Sequence, residues 1–296
     1  MMATKQTTDI PIQNVSDTAF WVAHYRAVET QRRNALFHDP LAAHLTGERG
    51  AKIAGAMPMS SMTGWVIVIR TTIIDEYVKA AVDNGADTIL NLGAGLDTRP
   101  YRMDLPPSLV WIEADYPAMI EYKEERLASE KPKCRLERIR IDLANVTERR
   151  EMLARIDERA KKLLVITEGV IPYLSAEEVG ALADDIGALE HVCCWIAEYH
   201  SPEVMKYRDR TGIRRQLQNA PVKFRPDDWF GFFAQHGWRA KEIRYLADQA
   251  ERVRRPIALP LWMKIIGAIR MSLASPKRRS AFRKFSAYVV LEPARS

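Results

Sequence analysis

Residues 87–103 read DTILNLGAGLDTRPYRM. The apolar run Ile89, Leu90 and Leu92 ends in Gly93-Ala94-Gly95, the pattern of a buried strand followed by a tight turn at which a ligand approaches the backbone with no Cβ in the way. A dinucleotide fingerprint needs a third glycine three positions after the second, where a helix packs closely on its strand. That position holds Thr98, and Asp97 sets a carboxylate where a pyrophosphate would be repelled. The stretch therefore argues for a nucleoside-bearing ligand without a pyrophosphate and against a nicotinamide dehydrogenase.

Outward from this turn the chain alternates. Strands are expected over 87–92, 109–114, 135–141, 163–167, 192–198, 239–245 and 285–291, with helices over 117–129, 146–160 and 175–189 between the early ones. This alternation predicts an α/β fold with a mostly parallel sheet and helices on both faces. Ahead of it, 17–36 has helical spacing with Asp17 or Ser16 as cap, short helical pieces surround 41–45, and Gly47, Gly50, Gly55 and Pro58 interrupt the next segment. A longer helix runs from about Ser60 through Arg70 to Val82 and stops at Asn84-Gly85.

In such sheets ligands bind beyond the carboxyl ends of the strands. The residues found there are Gly93, Gly95 and Asp97, then Asp115, then Asp142, then Glu168. Asp115 or Glu113 can accept hydrogen bonds from ribose hydroxyls, with the strand-end Asp115 better placed. Asp142 can accept from an adenine amine while Leu143 covers the ring. Adenine and ribose without phosphate fit S-adenosylmethionine, whose cationic end suits Asp97 and Glu168. Arg70, in the apolar stretch WVIVIRTTII, is the candidate partner for its carboxylate. Whether Asp97 touches the methionyl end or braces the loop through Thr98 and Arg99 stays open at this point.

NLGAGLDT, IEADYP, IRIDLA and LLVITEGVIPYL, in this order, resemble the leucine carboxyl methyltransferase family and its bacterial branch of S-adenosylmethionine-dependent O-methyltransferases. The resemblance runs from about Asp17 to Glu198, with a weaker match at FSAYVVLE. It implies a Rossmann-like seven-stranded methyltransferase sheet, mostly parallel with an antiparallel last strand, an N-terminal helical extension and a helical lid insertion. It also implies cofactor contacts by Arg70, Gly93, Gly95, Asp115, Asp142, Leu143 and Glu168, with Ala94, Asp97 and Tyr116 in the same set. Arg26 lies near a basic position that approaches the cofactor carboxylate; an Arg26–Glu29 helix pair explains it equally well.

One domain spans 1–296 in this reading: a helical cap over 1–85, a cofactor-binding core over 86–200, an acceptor-side insertion and lid over 201–284, and a closing strand and tail over 285–296. The N-terminus carries no secretory pattern and no stretch approaches the ~20 apolar residues of a membrane span, so a cytoplasmic protein is expected. Cys134, Cys193 and Cys194 lack metal-ligand spacing and read as free thiols, the adjacent pair pointing to opposite faces of its strand. No metal is expected.

The net charge of +6 is uneven: residues 201–296 hold 21 Lys and Arg against 8 Asp and Glu. That basic third suits nucleic acid, anionic lipid, an acidic substrate or a solvated face, and a non-enzymatic nucleic-acid or membrane-surface binding module is the alternative to an enzyme that it raises. Arg208, Arg210, Arg214 and Arg215 would favour an anionic acceptor, and the apolar stretch 260–276 reads as a lid or, with Lys277, Arg278 and Arg279, as an interfacial helix for a lipid-like one. Phe224, Trp229, Phe230, Phe232 and Phe233 read as core rather than as stacking platforms, so no nucleic acid is expected. The expected reaction is methyl transfer to a carboxylate or hydroxyl of a small molecule, a specialised metabolite, with a polypeptide C-terminus as alternative acceptor. A carboxylate needs no base; a hydroxyl would recruit His200 or Tyr173.

Overall fold

The computed structural model describes residues 12–57, 60–210, 218–257, 275 and 283–294, the side chains of 207–210 excepted. Seven strands form one sheet: β1 (Thr88–Leu92), β2 (Val110–Asp115), β3 (Arg135–Arg140), β4 (Leu163–Thr167), β5 (Val192–His200), β6 (Trp238–Tyr245) and β7 (Ser286–Pro293). Their order is β3-β2-β1-β4-β5-β7-β6. The first five are parallel, and β7 inserts antiparallel between β5 and β6. This is the expected α/β sheet, and every expected strand is present. Strand order reverses at β1, between β2 and β4, so the GAGLDT turn opens at the switch point of the sheet.

β1 (TILNL) and β4 (LLVIT) are buried at every residue, because both faces of the sheet are covered. On one face, α6 (Val146–Asp157), α7 (Ala176–Gly187) and, beyond α8 (Pro202–Arg210), α9 (Trp229–Gln235) pack on Leu90, Ile112, Val165 and Trp195. On the other, α3 (Ser60–Asp83) and α10 (Leu246–Arg252) cover Ile89, Trp111, Leu164 and Ile196. Local chemistry sets the helix starts. Ser175 and Glu178 form a reciprocal capping box at α7, Asn145 caps α6, and Pro117 opens α5 (Pro117–Arg126). The aromatic cluster of α9 is core: Trp229 and Phe233 are buried, and Phe233 meets Trp195 edge-on at 5.3 Å.

Four expectations are corrected. Helix α1 (Asp17–Thr30) stops six residues short of Leu36, because the Glu29 carboxylate accepts the Leu36 amide at 2.8 Å and the Arg255 guanidinium at 2.7 Å, folding the chain back. Its Ser16 cap position makes no side-chain cap bond, and Asp17 instead accepts the Gln13 amide at 2.7 Å. The glycines after Leu45 do not fragment the chain: α2 (Pro40–Ala56) runs through them with one kink at Gly47 (φ +51°). Gly50 is a site of close approach, since a Cβ there would lie 2.4 Å from the Phe20 carbonyl oxygen of α1. Finally, Cys193 and Cys194 do not diverge. The β4–β5 register slips between Leu163 and Leu164, so Cys193 occupies a bulge, and the two thiols meet at 3.4 Å on one face.

No described helix is long and apolar enough to cross a membrane. Arg214, Arg215 and the 260–276 stretch, Ser275 excepted, with Lys277, Arg278 and Arg279 lie outside the described residues, as do the side chains of Arg208 and Arg210.

Glu113 illustrates how strictly the sheet treats buried charge. Its carboxylate is fully buried and accepts Lys123 Nζ at 2.7 Å and Arg138 Nε at 2.9 Å, which takes it out of contention as a ribose ligand. Lys123→Met should cost about 3 kcal/mol, the order seen when one partner of a buried pair is removed. Urea unfolding measures it; a loss below about 0.5 kcal/mol would show that Arg138 alone satisfies Glu113.

Candidate active site

A cavity of about 1260 Å³ opens at the carboxyl ends of β1, β2, β4 and β5. Its lining gathers, from the residues singled out by the sequence, Arg26, Arg70, Gly93, Ala94, Gly95 and Asp97, together with Asp115, Tyr116, Leu143, Glu168, Tyr173 and His200. Asp142 is the exception. It is exposed at the end of β3 and its Oδ1 accepts the Ala144 amide at 2.9 Å, while Leu143 and Ala144 reach the cavity.

The turn after β1 is shaped for close approach. Gly93 and Gly95 have φ of +65° and +47°, and a Cβ on Gly93 would stand 2.5 Å from Val170 Cγ2. Asp115 holds the turn from β2: its Oδ2 accepts the Gly95 amide at 2.6 Å and its Oδ1 the Tyr116 amide at 2.7 Å. Each oxygen keeps a further lone pair for a diol. Burial pushes the Asp115 carboxyl above its ordinary value, although the two amides work against it. Tyr116 is exposed at the rim, its phenol raised by burial and then by Asp142 and Asp115.

Beneath the turn lies a network of buried charges. Arg99, on the one-turn helix α4 (Arg99–Arg102), is 2% exposed and binds Asp75 at 2.7 Å, Asp97 at 2.8 Å and Glu168 at 2.8 Å. Arg102 doubles the hold on Asp75 at 2.7 Å. Burial would raise the Asp97 carboxyl, but the Arg99 guanidinium, with Lys123 and Arg26, holds it well below the carboxylate range. Glu168 is lowered too, with Arg99 and Arg70 outweighing burial. Asp97 also accepts the Asn91 amide at 2.8 Å and the Arg99 backbone amide at 2.9 Å. Both of its oxygens are thus engaged in bracing the loop. The sequence left open that Asp97 braces the loop through Thr98 and Arg99, and the bond is made by Arg99; its further bonds to Asp75 and Glu168 were not anticipated.

Arg70 and Arg26 differ. Arg26 donates to Asp39 at 2.8 Å and to the Leu96 carbonyl, clamping α1 to the turn, and Glu29 is committed to Arg255, so the Arg26–Glu29 pair does not form. Arg70 Nε stands 3.0 Å from Glu168 as an ion pair, yet it is buried and lacks a hydrogen bond of good geometry. Burial would lower the Arg70 guanidinium, but Tyr288, Glu168 and Glu198 hold it above its ordinary value. An under-used guanidinium at the edge of the cavity fits a carboxylate-bearing ligand, and Glu168 beside it fits an ammonium. The residues present therefore suit S-adenosylmethionine: Asp115 for the ribose, Leu143 for the adenine face, and Arg70 with Glu168 for the amino-acid end.

Sequence reading also passed over Glu198 on β5, which lines the cavity at 3% exposure. Its Oε2 accepts the Gly169 amide at 2.8 Å, and its buried Oε1 has no partner. His200 Nδ1 lies 2.8 Å from Ser286 Oγ, and both line the same cavity.

Two outcomes are expected of this geometry. Asp115→Ala should weaken S-adenosylmethionine and S-adenosylhomocysteine alike by about 100-fold in calorimetry, the worth of two hydrogen bonds to a charged group; unchanged binding would place the ribose elsewhere. The carboxylates held low by Arg99 contribute stability that is present above about pH 4 and lost as pH falls through their folded values. Urea midpoints of the wild type should therefore drop more steeply below pH 4 than those of Arg99→Met, and parallel curves would show that Arg99 does not set these carboxyls.

The leucine carboxyl methyltransferase family model matches residues 19–187. A protein of Streptomyces avermitilis named as an S-adenosyl-L-methionine-dependent methyltransferase is 31% identical over 258 residues, covering 82% of this chain and 89% of its own length. One of Frankia alni with the same description is 28% identical over 263 residues, covering 82% and 90%. Among solved structures, a Thermobifida fusca protein described as a methyltransferase aligns over 100% of both chains with a TM-score of 0.57 at 12% identity, a likeness of fold. The chain belongs to the leucine carboxyl methyltransferase family, and it is an S-adenosylmethionine-dependent methyltransferase.

Proposed function

We propose that this enzyme transfers the methyl group of S-adenosylmethionine to an oxygen, carboxylate or hydroxyl, of a small molecule with an apolar body. The observation that carries this reading is the size and wall of the cavity. Its volume of about 1260 Å³ exceeds the roughly 300–1,000 Å³ of an ordinary single-ligand pocket, which leaves room for an acceptor beside the cofactor. The polar groups of the glycine turn and the ion network sit at the strand-end side. The rest of the wall is apolar, with Trp21, Met62, Trp65, Val66, Leu246 and Ile257 among its residues.

When bound, the cofactor supplies a methyl group on a cationic sulfur. The protein's part is to hold donor and acceptor in line and to keep water from the apolar space, since displacement at carbon rewards alignment and a desolvated oxygen. Arg70, Asp115, Glu168 and the glycine turn would fix the donor end. Trp65 and Leu246 would press on the body of the acceptor. Tyr173 and His200 line the same cavity and would orient or deprotonate an acceptor oxygen there. A free amino acid or a nucleic acid fits this wall poorly, because neither could bury its charge there. A polypeptide C-terminus would fit only through an apolar terminal side chain.

Incubating the enzyme with methyl-labelled S-adenosylmethionine and a small-molecule extract should transfer label to a compound of low molecular mass. Alkaline hydrolysis then separates a methyl ester, which releases methanol, from a base-stable ether. Label found only on macromolecules, or on nitrogen or sulfur, would contradict the proposal.

A further inference from the structure

Glu198 is a lone carboxyl in an apolar strand, VCCWIAEYH, and it lines the cavity near Arg70 and Glu168. It also lines a second, smaller cavity of about 200 Å³ whose wall includes His200, Pro172, Phe224 and Trp229. Its surroundings explain one of its oxygens and not the other. Oε2 is satisfied by the Gly169 amide at 2.8 Å, at a glycine with φ of +73° that turns its N–H toward β5. Oε1 is buried, unpartnered and on a side chain that lines both cavities. Leaving a buried carboxyl oxygen unsatisfied is unfavourable, and a structural role would have avoided it by supplying a donor.

We propose that Glu198 is the proton-accepting residue of the transfer site, its free Oε1 taking the proton of a hydroxyl acceptor. This rests on the O-methylation reading and narrows it to a hydroxyl. The acceptor O–H bond breaks with its proton passing to Glu198 Oε1. The acceptor oxygen forms the new bond to the methyl carbon, and the electron pair of the broken carbon–sulfur bond returns to sulfur, leaving neutral S-adenosylhomocysteine.

The charged and titratable groups facing Glu198 are Arg70 from α3, Glu168 after β4 and Tyr288 from β7. His200 lies two residues further along β5, and Tyr173 lines the same cavity. Burial, with Glu168 adding to it and the Gly169 amide, Arg70 and, more weakly, the Val170 amide opposing it, pushes the Glu198 carboxyl up to about 8. A base with that affinity is matched to a proton that must be taken near neutral pH. In the free protein at neutral pH the group is largely protonated. A cationic sulfonium nearby favours its ionised form, so binding the donor displaces the proton and readies the base. S-adenosylhomocysteine, which lacks that charge, does not.

The probes are therefore S-adenosylmethionine and S-adenosylhomocysteine, titrated into the intact enzyme by calorimetry from pH 6 to 9. The sulfonium lowers the pKa of the α-ammonium on the same ligand, so the two ligands titrate differently on their own. The ratio of their affinities is therefore read in the wild type relative to Glu198→Gln, which still accepts the Gly169 amide and carries the same ligand contribution. That relative ratio should move toward S-adenosylmethionine by about tenfold in total as pH rises, then level off above about pH 8. His200→Gln, measured against Glu198→Gln in the same way, should show the same change. Equal pH dependence in the wild type and Glu198→Gln overturns the proposal, and so does a change that disappears in His200→Gln. In the extract screen, Glu198→Gln should lose at least 100-fold of ether product while binding S-adenosylhomocysteine as the wild type does; undiminished ether product also overturns it. Because the binding arm needs no acceptor, a failed screen for O-methylation leaves the result on Glu198 separately legible.

Discussion

The Arg99 guanidinium is the point on which the site depends. It is almost fully buried, and a buried guanidinium is tolerable only when carboxylates surround it. Here they come from three places in the chain: Asp75 on α3, Asp97 in the turn after β1, and Glu168 after β4. Meeting that one electrostatic demand fixes the N-terminal helices, the glycine turn and the fourth strand end relative to one another. Arg102 and Arg26 extend the alternation of charge to Asp39, at the start of α2. The floor of the cofactor site is thus an ion lattice rather than a packed apolar layer, and its members cannot be exchanged singly without stranding a charge.

Above this floor the cavity divides by chemistry. Toward the strand ends it offers carboxylates, a guanidinium and bare backbone, the groups that a nucleoside with an amino-acid tail requires. Toward α1, α3 and α10 it offers indole and aliphatic walls. Glu198 lines the same cavity, and its buried Oε1 is left without a hydrogen-bond partner by the fold. A methyltransferase needs this kind of division, since the donor carries its own charges while the attacking oxygen reacts best when stripped of water.

Much of the sheet was legible because parallel strands buried on both faces advertise themselves as short apolar runs, as TILNL and LLVIT do. The strand-end rule then pointed at Gly93, Asp115 and Glu168 without any knowledge of their contacts. What remained hidden was long-range pairing. Arg99 reads as an ordinary turn residue until Asp75, 24 residues earlier, is found beside it. Arg26 had two readings, a cofactor-carboxylate contact and a pair with its helix neighbour Glu29; the second does not form, because Asp39 and the Leu96 carbonyl take the guanidinium in the fold. The Cys193 bulge left no periodic trace, because one slipped residue in an apolar strand keeps the same composition. Glu198 did leave a trace, a single acid in an apolar run. It was passed over because the strand was expected to end there, whereas β5 continues to His200 and carries the carboxyl inside.

The division of the cavity assigns the donor to its charged strand-end half and the acceptor to its apolar half. A crystal structure with S-adenosylhomocysteine bound should show the ribose hydroxyls on Asp115, the ligand carboxylate on Arg70, and open space between Trp65 and Leu246. Density for the ligand filling that apolar space, with Asp115 bonded only to Gly95 and Tyr116, would contradict that assignment.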